Sequence, residues 1–161
     1  YESIQLIGKL VNEESKAEKI LEDMRDTIDD IKLKIEDKER PRIFYVSWVD
    51  PLITAGKGTF IHDIIEMVGA QNIAEDNEGW IRFSVEKLVK ENPDMIISAF
   101  HATDVGMGKD DIMDHPMFKS LDCVKEGSIY VMKDDNLIAR PGPRIIEAIA
   151  EMAEAIHGDI F

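Results

Sequence analysis

The sequence predicts an α/β fold: a three-layer lobe with a mainly parallel central sheet flanked by helices, preceded by a long interdomain helix. Three observations carry this expectation. The short apolar runs RIFYVS, MIISAF and SIYVM have the length and content of strands buried on both faces. Between and after them stand segments with helical apolar spacing, so strands and helices alternate. Ahead of the first strand lies a helical pattern long for a small domain.

The opening segment YESIQLIGKL carries Ile4, Leu6 and Ile7 at helical spacing and reads as the end of an amphipathic helix cut short. It has the character of a piece of a longer protein, so the lack of a targeting signal carries no weight. From Ala17, apolar residues fall at Ile20, Leu21, Met24, Ile28, Ile31 and Ile35 with charged residues opposite. This pattern predicts a helix from about residue 13 to 38, with Asn12 as N-cap and Glu13 and Glu14 at the positive end of its dipole. TFIHDIIEMV places Phe60, Ile61, Ile64, Ile65 and Val68 on one helical face, with Thr59 as a cap and Gly69 as a stop. SVEKLVKE reads as a short helix capped by Ser84 and ended by Asn92-Pro93. MDHPMFKSL reads as another short helix, and PRIIEAIAEMAEAI as a closing one that opens on Pro143 and ends at Gly158. The expected division is residues 1–40, a helix end plus the long helix, and 41–161, the α/β lobe.

Composition narrows the function. The net charge of -14 repels nucleic acid and anionic membrane, and reads otherwise as a solvated acidic surface. No apolar run approaches the roughly 18 residues of a membrane span. The lone Cys123 excludes an intrachain disulfide and reads as a small buried hydrophobe.

In parallel sheets, ligands sit at the carboxyl ends of the strands, here the loops starting at Trp48, Phe100 and Met132. The first, VSWVDPLITAGKGTF, resembles a phosphate loop only in part. Pro51 stands where the first glycine belongs, and Gly58 where Ser or Thr belongs. His62, His101, His115 and His157 form no metal-binding pair by spacing, and Asp110, Asp111 and Asp114 fit a solvated helix start better than a calcium loop. No nucleophile elbow is present. Large side chains remain: Trp48 after a strand, Trp80 in the loop NEGWIRF, and Arg140 and Arg144 in RPGPR. Arg144 suits a structural contact and Arg140 an anionic ligand group. Glu86 lies in a helix's first turn, where a carboxylate is favourable without any function.

Taken in order, the segments resemble the C-terminal lobe of the periplasmic substrate-binding proteins of iron–siderophore, haem and cobalamin ABC importers. The likeness runs from IGKLVNEESKAEKIL, the entry to a helix joining two lobes, through YVSWVDPLITAGKGTFIHDIIEMVGAQNIAED with its G-x-x-N-I element. It continues in SVEKLVKENPDMII, an S-x-E-x-L…N-P-D-x-I-I element, and in RPGPRIIEAIAEMAEAIHGDIF. The resemblance implies a binding protein, not an enzyme, with no intrinsic cofactor. The metal chelate would be held between this lobe and an absent N-terminal lobe and handed to an ABC permease dimer. Glu86 would be the permease-docking carboxylate. Trp48, Asp50, Trp80, Arg82, Phe100, His101 and Arg140 would line the ligand cleft. GKG is then the turn from cleft rim to helix. The implied location is periplasmic or extracellular, anchored at the cell surface.

The cobalamin-binding members carry aromatic residues before the last helix, where this chain has Asn136, Leu137 and Ile138. The chelate class therefore stays open among siderophore, haem and corrinoid. A metal-binding or chelatase-like enzyme is the alternative, with His101 or His62 converging on Asp50 or Asp104; a pure protein-contact lobe is a third. An isolated lobe would expose half a cleft and could dimerise.

Overall fold

A computed structural model describes residues 1–99, 108–140, 142–158 and 160. Helices α1 (Glu2–Leu10) and α2 (Glu14–Ile35) come first and pack on each other. They approach closely at Gly8, where a Cβ would stand 2.5 Å from that of Ala17. At 22 residues, α2 is about 33 Å long at 1.5 Å per residue. Its buried stripe is Ala17, Leu21, Met24, Ile28, Ile31 and Ile35, as the spacing predicts, whereas Ile20 is exposed. Ile28, Ile31 and Ile35 enter the core of the α/β body, so α2 is anchored there by its C-terminal half.

The N-cap assignment changes. Asn12 takes a left-handed conformation at φ 57, part of the reversal between the two helices, and Glu13 occupies the cap. Asparagine suits both positions, and only the tight α1–α2 connection selects the turn.

Four parallel strands form the central sheet in the order β4-β1-β6-β7: β1 (Arg42–Val46), β4 (Gln71–Asn72), β6 (Met95–Ser98) and β7 (Ile129–Val131). Alternation along each strand divides the interior in two. Ile43, Tyr45 and Ile97 face a core shared with α2, α3 (Phe60–Met67) and α8 (Ile145–His157). Phe44, Val46, Ile96 and Ile129 face the opposite core, which Leu88, Ile112, Phe118 and Cys123 complete. Leu88 belongs to α4 (Val85–Glu91), Ile112 to α5 (Lys109–Asp114) and Cys123 to α6 (Asp122–Lys125). The result is the three-layer arrangement expected from the apolar runs. Burial pushes the Cys123 thiol up to about 11, as befits a core position.

Local signals set the helix starts. The Thr59 side chain accepts the backbone N–H of His62, and Ser84 that of Lys87. The expected helix over 113–121 is displaced upstream: α5 runs from Lys109 to Asp114 and stops at His115, just before Pro116. Proline disfavours helical geometry in the residue before it. Asp110 and Asp111 do sit in that helix's first turn. A short helix α7 (Asn136–Ala139), not expected from the sequence, follows β7. None of the described helices is long and apolar enough to cross a membrane.

Candidate ligand-binding face

The segment read as an open loop after β1 is an antiparallel ribbon. β2 (Trp48–Val49) turns through Asp50 and Pro51, joined by a cis peptide bond, into β3 (Leu52–Ala55). β5 (Trp80–Arg82) then pairs with the outer side of β3. Trp80 therefore opens a strand and does not lie in a loop. The sequence did hold a signal: apolar and β-branched residues flank the Asp-Pro turn.

The register explains which side chains meet. Trp48, Ile53 and Arg82 form one cross-strand row, and Ala55 and Trp80 the next row on the same face. Leu52, Val49, Ile81 and Phe83 pack into the second core, so the ribbon buries its other face. The strands β1, β6 and β7 end in one row, Val46, Ser98 and Val131, and Trp48 lies two residues beyond that row. The Trp48–Arg82–Trp80 face thus stands at the carboxyl edge of the parallel sheet, where the sequence placed a ligand.

Both indoles are half exposed, Trp48 at 54% and Trp80 at 50%. Trp48 donates its Nε1–H to the Asp50 carbonyl at 2.8 Å, which satisfies its polar atom locally and leaves its ring available for stacking. Trp80 rests against Tyr45, with ring centroids 6.4 Å apart and planes tilted by 59°. Burial, and then the charge of Asp135, raises the Tyr45 phenol far above its ordinary range, so it remains neutral. Arg82 is exposed on the face and forms no ion pair with a described residue. A planar molecule with peripheral anionic groups matches this surface chemically.

Asp50 is exposed in the ribbon turn beside Trp48. Arg140 is exposed at the C-terminal end of α7, outside the ribbon face, and also lacks an ion-pair partner among the described residues. Arg144 makes the structural contact expected of it, a bidentate pair with Glu147. Phe100, His101 and Asp104 lie outside the described residues. The other histidines have packing roles: His62 meets the Asn72 side chain, His115 accepts the Met117 N–H, and His157 contacts the Val68 carbonyl. Among the described residues, no group of three or more His, Cys, Asp or Glu is placed to hold a metal ion.

The glycine-rich turn also has a defined job. Gly58 has φ 79, and Gly56 lies so close to residue 77 that a Cβ would stand 2.2 Å from the Asn77 carbonyl oxygen. These glycines carry the chain from β3 into the Thr59 cap.

On the other core's side, Glu86 is exposed in the first turn of α4. Its carboxyl is held below the ordinary range first by its own backbone N–H and then by the Ser84 hydroxyl, which donates at 2.8 Å. The same hydroxyl accepts the Lys87 N–H at 3.0 Å, so one serine caps the helix and orients the carboxylate. A lowered carboxyl adds stability above its unfolded pKa, and that contribution is lost as pH falls through the folded value. Ser84→Ala is expected to raise the Glu86 pKa toward the ordinary carboxylate value and to cost about 1 kcal/mol of helix capping. Carboxyl-carbon NMR titration and chemical denaturation check the two effects.

Comparison with known proteins shows the family. The sequence profile of the periplasmic binding proteins matches residues 1–136. The chain belongs to this family. An uncharacterised ABC transporter substrate-binding lipoprotein of Bacillus subtilis, YvrC, is 33% identical over all of the chain and 51% of its own length. A cobalamin-binding protein of Halobacterium salinarum is 30% identical over 97% of the chain and 43% of its own length. The chain thus spans about half the length of these curated relatives. A possible iron-binding (periplasmic solute-binding) protein of Staphylococcus epidermidis superposes with a TM-score of 0.82 at 29% identity, over 97% of the chain and 60% of that structure. A periplasmic haem-binding protein from Roseiflexus superposes at 0.83 with 18% identity, a likeness of fold alone. Membership of the periplasmic binding proteins agrees with the sequence resemblance and with the α/β architecture.

Proposed function

We propose that the chain is the C-terminal lobe of the substrate-binding component of an ABC importer for a metal chelate: an iron–siderophore, haem or a corrinoid. The observation that carries this reading is the exposed Trp48–Arg82–Trp80 face at the carboxyl edge of the parallel sheet. The indoles would pack on the flat chelate and Arg82 would offset its negative charge. Asp50 and Arg140, with Phe100 and His101, would complete this half of the cleft. The relatives' names support the chelate classes, since they include cobalamin-binding, Fe(3+)-citrate-binding and iron-uptake proteins.

Residues 1–40 would be the end of an N-lobe helix and the interdomain helix. An apolar groove of about 250 Å³ between α1 and α2, lined in part by Ile4, Ile7, Val11, Ile20 and Pro143, would offer an N-terminal lobe a surface. α2 would limit the hinge to small rocking motions, because bending a continuous helix breaks backbone hydrogen bonds. Glu86, charged and oriented by Ser84, would dock on permease arginines. The whole protein would work at the outer face of the cytoplasmic membrane, in the periplasm or anchored at the cell surface, without catalysis.

The test uses the full two-lobed parent, titrated with dicyanocobinamide, haemin and a ferric siderophore while tryptophan fluorescence, corrected for absorbance, is followed. Saturable quenching by one of them supports the reading and names its class. Folded protein that saturates with none overturns it. Glu86→Gln should leave that binding unchanged and lower transport in reconstituted vesicles roughly tenfold, as expected for removal of one interfacial charge pair.

A further inference from the structure

The ribbon that carries the tryptophans is not part of the parallel sheet, so something must hold it in place. At its Trp48 end the tie is direct: the Ser47 N–H donates to the Ile53 carbonyl at 2.9 Å, and Trp48 follows β1 after one residue. Trp80 reaches the parallel sheet by its ring contact with Tyr45 and not by a backbone bond. Among the described residues β5 pairs only with β3, and Trp80 sits opposite Ala55, the last residue of β3. Its position is therefore inherited from that strand end.

We infer that Asn72 is a positioning residue for Trp80, acting through the Ala55 carbonyl. Asn72 is fully buried on β4, an edge strand of the parallel sheet. Its Nδ2 donates to the Ala55 carbonyl at 2.7 Å and also stands 3.3 Å from His62 Nδ1. Its Oδ1 accepts the Ala74 N–H at 3.0 Å. A buried amide with both ends engaged fixes geometry, because any shift leaves a polar group unsatisfied. The tie is reinforced through the turn that follows. The Thr59 hydroxyl donates to the Gly56 carbonyl at 2.7 Å, and the Gly56 N–H donates to the Gly79 carbonyl at 2.8 Å, one residue before Trp80. Asn72 and Thr59 thus hold Ala55 and Gly56, the strand end against which Gly79 and Trp80 are paired. This assigns a physical task to the asparagine of GAQNI and to the GKGT turn.

The consequence for binding rests on the reading of this face as the ligand face, but the positioning can be tested without ligand. The chain is labelled with 5-fluorotryptophan, and its two fluorine resonances are assigned with Trp48→Phe and Trp80→Phe. In Asn72→Ala, confirmed as folded by circular dichroism, the Trp80 resonance moves and the Trp48 resonance stays. Thr59→Val gives the same selective shift and Thr59→Ser restores the original position. The Thr59 pair decides the matter if Asn72→Ala does not fold. Both resonances unmoved, or both moved together, overturns the inference, since the second pattern means general loosening. In the two-lobed parent, at a temperature where all variants are folded, Asn72→Ala weakens binding of whichever probe saturates the wild type about tenfold, the scale of one lost contact. A merely structural asparagine would lower Tm and leave that affinity unchanged. If no probe saturates the wild type, the ligand assignment falls and the fluorine spectra still decide the positioning.

Discussion

Under the proposed function, replacing Trp80 by alanine in a two-lobed parent is expected to weaken chelate binding roughly 30-fold, on the order of 2 kcal/mol, with little change in stability. The split follows from the surroundings of the indole. Half of Trp80 is already exposed, and its recorded aromatic neighbour is Tyr45 at 6.4 Å, so the folded lobe loses little packing on truncation. A flat ligand, by contrast, would cover the exposed ring and lose a whole stacking face. Trp48→Phe provides the control. It removes the Nε1 bond to the Asp50 carbonyl but keeps an aromatic surface, so its effect should be smaller. Fluorescence titration and thermal denaturation of the variants separate the two quantities. A large Tm loss with unchanged affinity would make Trp80 a core residue and not a contact.

Gly56→Ala is expected to destabilise the lobe by about 2–3 kcal/mol, a fall in Tm of roughly 5–10 °C for a chain of this size. The added Cβ would stand 2.2 Å from the Asn77 oxygen and 2.9 Å from the Asn77 carbonyl carbon. Both are backbone atoms, so no side chain can rotate away. The neighbouring Gly58 isolates the other glycine effect. Its φ of 79 disfavours a side chain, yet nothing lies within 4 Å of its Cβ position. Gly58→Ala should therefore cost only about 1–2 kcal/mol. Denaturation midpoints that reverse this order would show that backbone conformation, and not close approach, governs the turn. Because the Gly56 N–H bonds to the Gly79 carbonyl, one residue before Trp80, its variant should also loosen ligand binding under the proposed function.

Much of the architecture was legible from local pattern. The short continuous apolar runs of RIFYVS and its companions selected strands buried on both faces, and the Thr59 and Ser84 caps appear where the residue types predicted them. The errors arose where competing local options were close in energy. Asn12 can cap a helix or take a left-handed turn, and tertiary packing of α1 on α2 selected the turn. The segment MDHPMFKSL mixes helical spacing with a proline, and the proline prevailed. The ribbon was missed because strands of two to four residues carry little periodic signal beyond the apolar residues flanking the Asp-Pro turn, and β5 pairs with β3 from some 25 residues away.

The sequence by itself determined that strands and helices alternate, that Trp48 lies just past the carboxyl end of a strand, and that Glu86 stands at a capped helix start. Each is written in periodicity or in a motif a few residues long. Only the tertiary structure decided that Trp48, Arg82 and Trp80 share one face, and that Asn72 sits behind them. Those relations depend on β3 pairing with β2 on one side and β5 on the other. Such pairing is chosen by which register buries Leu52, Ile81 and Phe83 against the second core, a comparison of whole arrangements that no short stretch of sequence contains.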